Sequence, residues 1–245
     1  MAMRPVVYSC VTAGYDAVAP VAPDWRCEFV LFHDGTINVP EGWRGQYLAV
    51  EGVTGVNLNR YAKMLPHRLG LASGSSMYLD GNLALQQDPS TRIRLALESA
   101  NFCAYPHPAR DCPYAEIRET LRLGFVGPGA AWKQMRLFKG LGLPRKAGLF
   151  EAGALIRQHD DVSVIALGEA WWQLWQGGLR RDQPLLTAAA WQRRLVIALI
   201  GPNDMHDKDG DLVRIVPHSK RRTRMTRLPN RIAAEVAMYR MWLPK

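Results

Sequence analysis

Six short runs rich in β-branched and aromatic residues recur along the chain, at 6–12, 27–32, 46–50, 76–79, 102–105 and 212–216, and each reads as a strand. Helical patterns stand between them. Asp88 as a cap and Pro89 in the first turn lead into Ile93, Leu97 and Ala100 on one face, and Leu167, Trp171, Leu174 and Trp175 form another apolar face. Alternation of this kind is met by a sheet covered with helices, an α/β fold. In open α/β sheets ligands lie beyond the carboxyl ends of strands, so the residues that directly follow each strand are the ones to read for chemistry.

A chain of 245 residues, 48% hydrophobic and 22% charged, has the material for one well-filled core, which excludes a disordered protein. Cys10, Cys27, Cys103 and Cys112 are widely spaced and form no Cys-x-x-Cys pair, so a zinc ribbon or a dense disulfide framework is not expected. No apolar run approaches the ~20 residues that span a bilayer. Arg4 ahead of 6–13 imitates a signal peptide, but the apolar part is short and soon meets Asp16. With no targeting segment visible, a soluble cytoplasmic protein is expected. The net charge of +9 is concentrated: seven basic and no acidic residues fall between Leu212 and Ala234, which leaves 24 basic against 22 acidic residues elsewhere. A near-neutral body without interleaved basic and aromatic residues makes nucleic acid an unlikely partner, although the basic stretch alone would bind polyanions in a salt-dependent way.

Several strand ends carry polar groups. The first strand runs into Thr12, Ala13, Gly14, Tyr15 and Asp16, a loop suited to a nucleoside, with Tyr15 stacking on a base and Asp16 accepting from base or ribose. It is neither a Gly-x-Gly-x-x-Gly fingerprint nor a P-loop, and an ordinary glycine turn explains it as well. The run 76–79 ends in Asp80, Gly81 and Asn82; a carboxylate there suits Mg²⁺ or Mn²⁺ beside a phosphate, and an Asp-Gly turn is the plain alternative. Lys63 reads as a phosphate contact or as a solvated surface lysine. Within 107–116, His107 and Glu116 suggest acid–base chemistry and Arg110 a clamp for phosphate or carboxylate. Glu151 opens a strand that would return polar groups to the site and bind an acceptor hydroxyl. Asp182 and Gln183 stand at a helix entrance, where capping alone accounts for a carboxylate. Trp171, Trp172 and Trp175 read as core rather than as a sugar platform.

The segments 12–16 (TAGYD), 62–69 (AKMLPHRL), 75–82 (SSMYLDGN), 107–117 (HPARDCPYAEI), 148–160 (GLFEAGALIRQHD) and 180–186 (RRDQPLL) together resemble the glycosyltransferase-like domain, formerly a domain of unknown function, of plant turgor-regulation and seed-mucilage proteins and their bacterial relatives. The resemblance implies a GT-A fold, a Rossmann-like mixed sheet flanked by helices in one domain over 1–203, with the basic segment 204–245 completing the donor site. It implies transfer of a sugar from a nucleoside diphosphate sugar, above all a UDP-sugar, to a hydroxyl of a glycan or small-molecule acceptor. Asp80 takes the place of the first acid of an Asp-x-Asp motif, while Asn82 departs from the second, which weakens the case for Mn²⁺ or Mg²⁺. The stretch around Lys63 and Asp80 also resembles family-8 type retaining glycosyltransferases, in which an Asp-Gln pair at the place of Asp182 and Gln183 lies near the anomeric carbon. His218, with His206 and Asp207 as alternatives, would complete the metal site, and Lys220 and Arg221 would neutralise the leaving diphosphate. The departure at Asn82 also keeps open a member that binds a nucleotide or glycan without turnover.

Overall fold

The computed structural model describes residues 4–72, 74–178, 181–203, 205–206 and 210–217, with Ile232 and Val236. Along the chain run β1 (Val6–Val11), β2 (Glu28–His33), β3 (Arg44–Tyr47), α1 (Val56–Met64), a 3-10 turn (Pro66–Arg68), β4 (Ser75–Leu79), β5 (Leu83–Leu85), α2 (Ser90–Ser99), β6 (Phe102–Pro106), α3 (Pro113–Arg122), α4 (Pro128–Gly140), β7 (Phe150–Gln158), α5 (Val162–Gln176), α6 (Asp182–Arg193), β8 (Ala198–Leu199) and β9 (Val213–Ile215).

Seven strands form one mixed sheet in the order β3-β2-β1-β4-β7-β6-β8, and β5 pairs with β9 in a second, two-stranded sheet. The first half is parallel: β1 lies between β2 and β4, with Val6 opposite both Glu28 and Ser76. β7 then enters antiparallel to both β4 and β6. The chain steps outward from β1 to β2 and β3 and returns to the other side of β1 as β4, so the sheet reverses its strand order between β1 and β4. Their carboxyl ends, Thr12 and Asp80, therefore open onto one crevice.

β1 is buried on both faces, as a central strand must be. Val6, Tyr8 and Cys10 point into a cluster roofed by α1 and α3 to α6, and Val7 and Val11 point into a smaller one that includes Ile93 and Ala96 of α2. Helices thus cover both faces. Trp171, Trp172 and Trp175 belong to the larger cluster, as their helical spacing predicts. Leu174 packs against the larger cluster beside these tryptophans, on the face its spacing predicts. The four cysteines are free, three of them buried. Among the described residues no helix is long and apolar enough to cross a membrane.

Two local expectations need correction. The third strand is Arg44–Tyr47 rather than 46–50; Val50 instead closes a tight turn by bridging to Val53. At α2 the cap is Pro89, not Asp88. Asp88 stands one residue earlier, where its carboxylate accepts from the Ser90 N–H at 2.9 Å and from the Arg26 N–H at 3.1 Å, tying the helix start to the segment before β2.

One close approach fixes the helix that matters most for the site. Gly168 of α5 lies so near α1 that a Cβ there would stand 2.4 Å from the Met64 carbonyl oxygen. Side-chain absence at this point lets α5 seat the last turn of α1, which carries Lys63.

Candidate active site

Lys63 is buried, and it joins two elements far apart in sequence. Its Nζ lies 2.7 Å from Asp182 Oδ2 and 3.1 Å from Asp80 Oδ1. The solvated-lysine reading is therefore wrong. The ammonium sits in the last turn of α1 and Asp182 in the first turn of α6, so each charge lies at the helix end whose dipole favours it. Arg60, one turn before Lys63 on the same face, brings Nε to 3.3 Å from Asp182. Trp171 donates its indole N–H to the Asp182 carbonyl at 3.0 Å and so pins the start of α6. Burial works to raise the Asp182 pKa, but Arg60, Lys63 and Arg181 overcome it and hold this carboxyl well below the usual carboxylate range. Tyr78, two residues before Asp80 and so on the same face of β4, donates its hydroxyl to Asp80 Oδ1 at 2.8 Å. Burial and then the Asp80 charge push that phenol well above 10.

Glu151 lies across the cleft on β7. The ladder between β6 and β7 shifts register at Ala104/Tyr105, so that Tyr105 stands opposite Glu151 while Ala104 stands opposite Leu155; such bulges re-aim side chains. Gly153, within the irregularity, accepts the Asp80 N–H at 2.8 Å. Glu151 Oε2 receives the Gln183 amide at 2.5 Å, and Oε1 stands 3.4 Å from His206 Nε2. Burial raises the Glu151 pKa; His206 opposes the shift, and the Glu116 and Asp80 charges add to it.

Glu116 anchors a third group. Its Oε2 accepts from Arg110 Nε at 2.7 Å and lies 3.6 Å from His107, while Oε1 stands 3.8 Å from Arg181. His107 builds its own loop: Nδ1 is the acceptor for the backbone N–H groups of Ala109 and Arg110. Burial, and then Arg110, His206 and Arg181, lower its pKa to about 4. His107 and Glu116 thus hold Arg110 in place, which the acid–base reading of the pair overlooked. Arg181 carries a left-handed φ of 75° immediately before Asp182 and stacks on Phe125 at 5.0 Å.

At the end of β1 the chain turns through Ala13 and Gly14, both at positive φ. Their N–H groups are held at 2.8 Å by Asp34 and Thr36, and Thr12 donates its hydroxyl to Gly55 at 2.9 Å. Tyr15 is exposed. Asp16 packs over Gly81: a Cβ on that glycine would stand 2.7 Å from Val11 Cγ2 and 3.0 Å from Asp16 Cβ. The turn 12–16 and the turn 80–82 are therefore in contact, and the Asn82 carbonyl accepts the Val216 N–H at 2.9 Å. β9 thus leads the chain past this turn. His218, Lys220 and Arg221, like Asp207, lie outside the described residues.

The described donors do not fit a divalent ion by themselves. Among the described residues no three His, Cys, Asp or Glu side chains converge. Asp80 is one carboxylate already engaged by an ammonium and a phenol, Asn82 is a neutral amide, and His206 faces Glu151.

Sequence reading did not single out Arg60, Tyr78 or Arg181. Arg60 was detectable as the i−3 neighbour of Lys63, and Tyr78 as the i−2 neighbour of Asp80. Arg181 carried no comparable signal, because its role depends on the buried Glu116 from another helix.

No protein-family model matches the chain and no curated protein aligns with it. Solved structures do match in fold. The galactosyltransferase LgtC in complex with donor and acceptor sugar analogs superposes with a TM-score of 0.52 at 10% identity over 98% of both chains. An active-site mutant of LgtC, a glutamine-to-glutamate change, gives 0.51 at 10% identity over the same share of each. The fold is of the GT-A type.

Proposed function

We propose that the protein is a glycosyltransferase that moves a sugar from a nucleoside diphosphate sugar, a UDP-sugar, to a hydroxyl of a glycan or small-molecule acceptor. One observation carries the reading: Lys63 is buried between Asp80, at the strand-order reversal of a GT-A sheet, and Asp182, whose neighbour Gln183 reaches Glu151. Taking a cation and two carboxylates out of water has a desolvation cost that their pairing need not repay, and here the cluster lies in the crevice where such sheets bind ligands. The mixed-charge crevice can orient phosphates and a sugar at once.

In this reading Thr12, Tyr15 and Asp16 bind the nucleoside, Lys63 a phosphate or the donor sugar, and Asp182 with Gln183 flank the reacting carbon. Glu151 contacts the acceptor hydroxyl, and Arg110 steadies an anionic group. Lys220 and Arg221 would meet the diphosphate from the basic segment. The family assignment to the plant turgor-regulation and seed-mucilage type rests on the ordered motifs at 12–16, 62–69, 75–82, 107–117, 148–160 and 180–186. The described residues do not fit Mn²⁺ or Mg²⁺ unaided, so no step is assigned to a metal; Asp80, Asn82 and His218 are the residues that would hold one together with the diphosphate.

The test is calorimetry with UDP, with and without Mn²⁺, followed by a hydrolysis screen over common UDP-sugars. UDP binding and hydrolysis of at least one donor are expected, with hydrolysis lost in Asp80→Ala while the fold persists. Full activity in Asp80→Ala would sink the assignment. Binding with no turnover on any donor would favour the non-catalytic reading that Asn82 keeps open.

A further inference from the structure

Among the described residues four carboxylates gather at the cleft, and their partners divide them. Asp182 is held by Lys63 and Arg60, Asp80 by Lys63, and Glu116 by Arg110 and Arg181. Each is paired with a side chain that stays positive at neutral pH, and in Asp182 that pairing holds the carboxyl in its charged form. Glu151 differs. Among the described residues the partners of its carboxylate are a neutral amide, Gln183, and an exposed imidazole, His206. We propose that Glu151, rather than Asp182, accepts the proton of the attacking hydroxyl, with His206 as the positioning residue that steadies the carboxylate and links it to solvent. This assignment rests on the glycosyltransferase reading and deepens it.

The step balances as follows. The acceptor oxygen forms a bond to the anomeric carbon of the donor as its O–H bond breaks, and the proton passes to the Glu151 carboxylate. The bond from the anomeric carbon to the β-phosphate oxygen breaks, and its electron pair leaves on the nucleoside diphosphate. His206, with its side chain 46% exposed against 14% for Glu151, then stands where it can take the proton outward. The groups facing Glu151 are Gln183 of α6, His206 ahead of β9, Glu116 of α3 and Asp80 after β4. Burial and the two carboxylates raise the proton affinity of the Glu151 carboxylate, which strengthens it as a base towards an attacking hydroxyl, and His206 opposes them. Asp182 is shifted the opposite way, which suits a group that stays charged and orients its neighbours.

The experiment uses the whole chain as wild type, Glu151→Gln and His206→Gln. UDP affinity is measured by calorimetry, and hydrolysis of UDP-glucose, UDP-galactose, UDP-N-acetylglucosamine and UDP-glucuronate is followed across pH, with water as the acceptor. Glu151→Gln is expected to lower turnover by about 10²-fold or more, the usual share of a general base, while UDP affinity stays within about twofold; formate is expected to restore part of the rate. In His206→Gln the acidic limb of the pH profile is expected to move to higher pH, because the group that opposes the upward shift is gone. Turnover in Glu151→Gln above about a tenth of wild type overturns the assignment and leaves the transferase reading standing. Turnover and UDP affinity falling together make Glu151 structural and also overturn it. An unmoved pH profile in His206→Gln removes that residue's role. No hydrolysis of any of the four donors by the wild type overturns the transferase reading first, and the assignment with it.

Discussion

Two sides of one cleft treat carboxylates in opposite ways. On the α1–β4–α6 side, Asp80 and Asp182 share one buried ammonium, and Asp182 is depressed below the ordinary carboxylate range. On the β7 side, Glu151 is largely enclosed by protein yet, among the described residues, has an amide and an imidazole for company, and its pKa is raised. The difference teaches that burial alone sets neither the charge nor the role of a carboxyl group. Lys63 and Arg60 hold Asp182 in its charged form, whereas among the described residues no lysine or arginine pairs with Glu151, and burial raises its pKa.

The comparison breaks most visibly at Lys63. Lys63→Met keeps the length of the side chain and removes its charge, leaving Asp80 and Asp182 facing one another across an apolar stem. Removing one partner of a buried ion pair costs about 3–5 kcal/mol, so chemical denaturation should show a large loss of stability together with loss of donor turnover. A cost below about 1 kcal/mol would mean that water screens the cluster. Gly81→Ala comes next. Its Cβ would meet Val11 and Asp16 within 3.0 Å, and overpacking of this kind costs about 1–3 kcal/mol; weaker UDP binding by calorimetry is expected beside the stability loss, because the turn carrying Asp80 must shift against the turn carrying Asp16. Glu151→Gln is expected to fall at the small end, within about 1 kcal/mol of wild type in denaturation, since among the described residues the change orphans no lysine or arginine. That contrast in stability between Lys63→Met and Glu151→Gln sharpens the comparison without any assay of turnover.

Acid titration separates the groups again. Burial lowers His107 and His159 from 6.5 to about 4 in the fold, so the unfolded chain binds more protons in that window. Their contribution to stability is present above about 6.5 and is lost as pH falls towards about 4. The melting temperature should therefore drop over this interval, and the drop should be smaller in His159→Gln. Asp182 acts in the same direction but lower on the scale. Its contribution is full above its ordinary value of 3.8 and is lost only as pH falls well below it. A melting temperature that is flat between about 6.5 and about 4 would show that neither histidine is buried in its neutral form.

Much of the frame was legible in sequence. β1, β2, β4 and β6 lie where the runs of β-branched and aromatic residues place them, to within a residue or two, and α5 shows the apolar face that Leu167, Trp171 and Trp175 outline. β5 and β8 were missed, because strands of three and two residues carry too little pattern to stand out from loop. β3 was displaced because the hydrophobic run continues into a turn closed by Val50 and Val53. At the site, Asp80, Glu151, Asp182 and Gln183 were marked by their places at element ends, and the structure brings all four into one cleft with Lys63. Their division of labour was not marked, since a carboxylate's neighbours come from other elements.

By itself the sequence determined the class of the fold, the strand ends at which polar groups gather, and the concentration of the +9 charge in one acid-free stretch. These follow from local period and composition, which a chain carries before it folds. Tertiary structure alone decided that Lys63 is buried between residues 17 and 119 positions away, that His107 and Glu116 hold Arg110, and that among the described residues Glu151 meets an amide and an imidazole rather than a lysine or arginine. Charge pairing is a property of distance in space, and the sheet's return from β3 to β4 sets those distances.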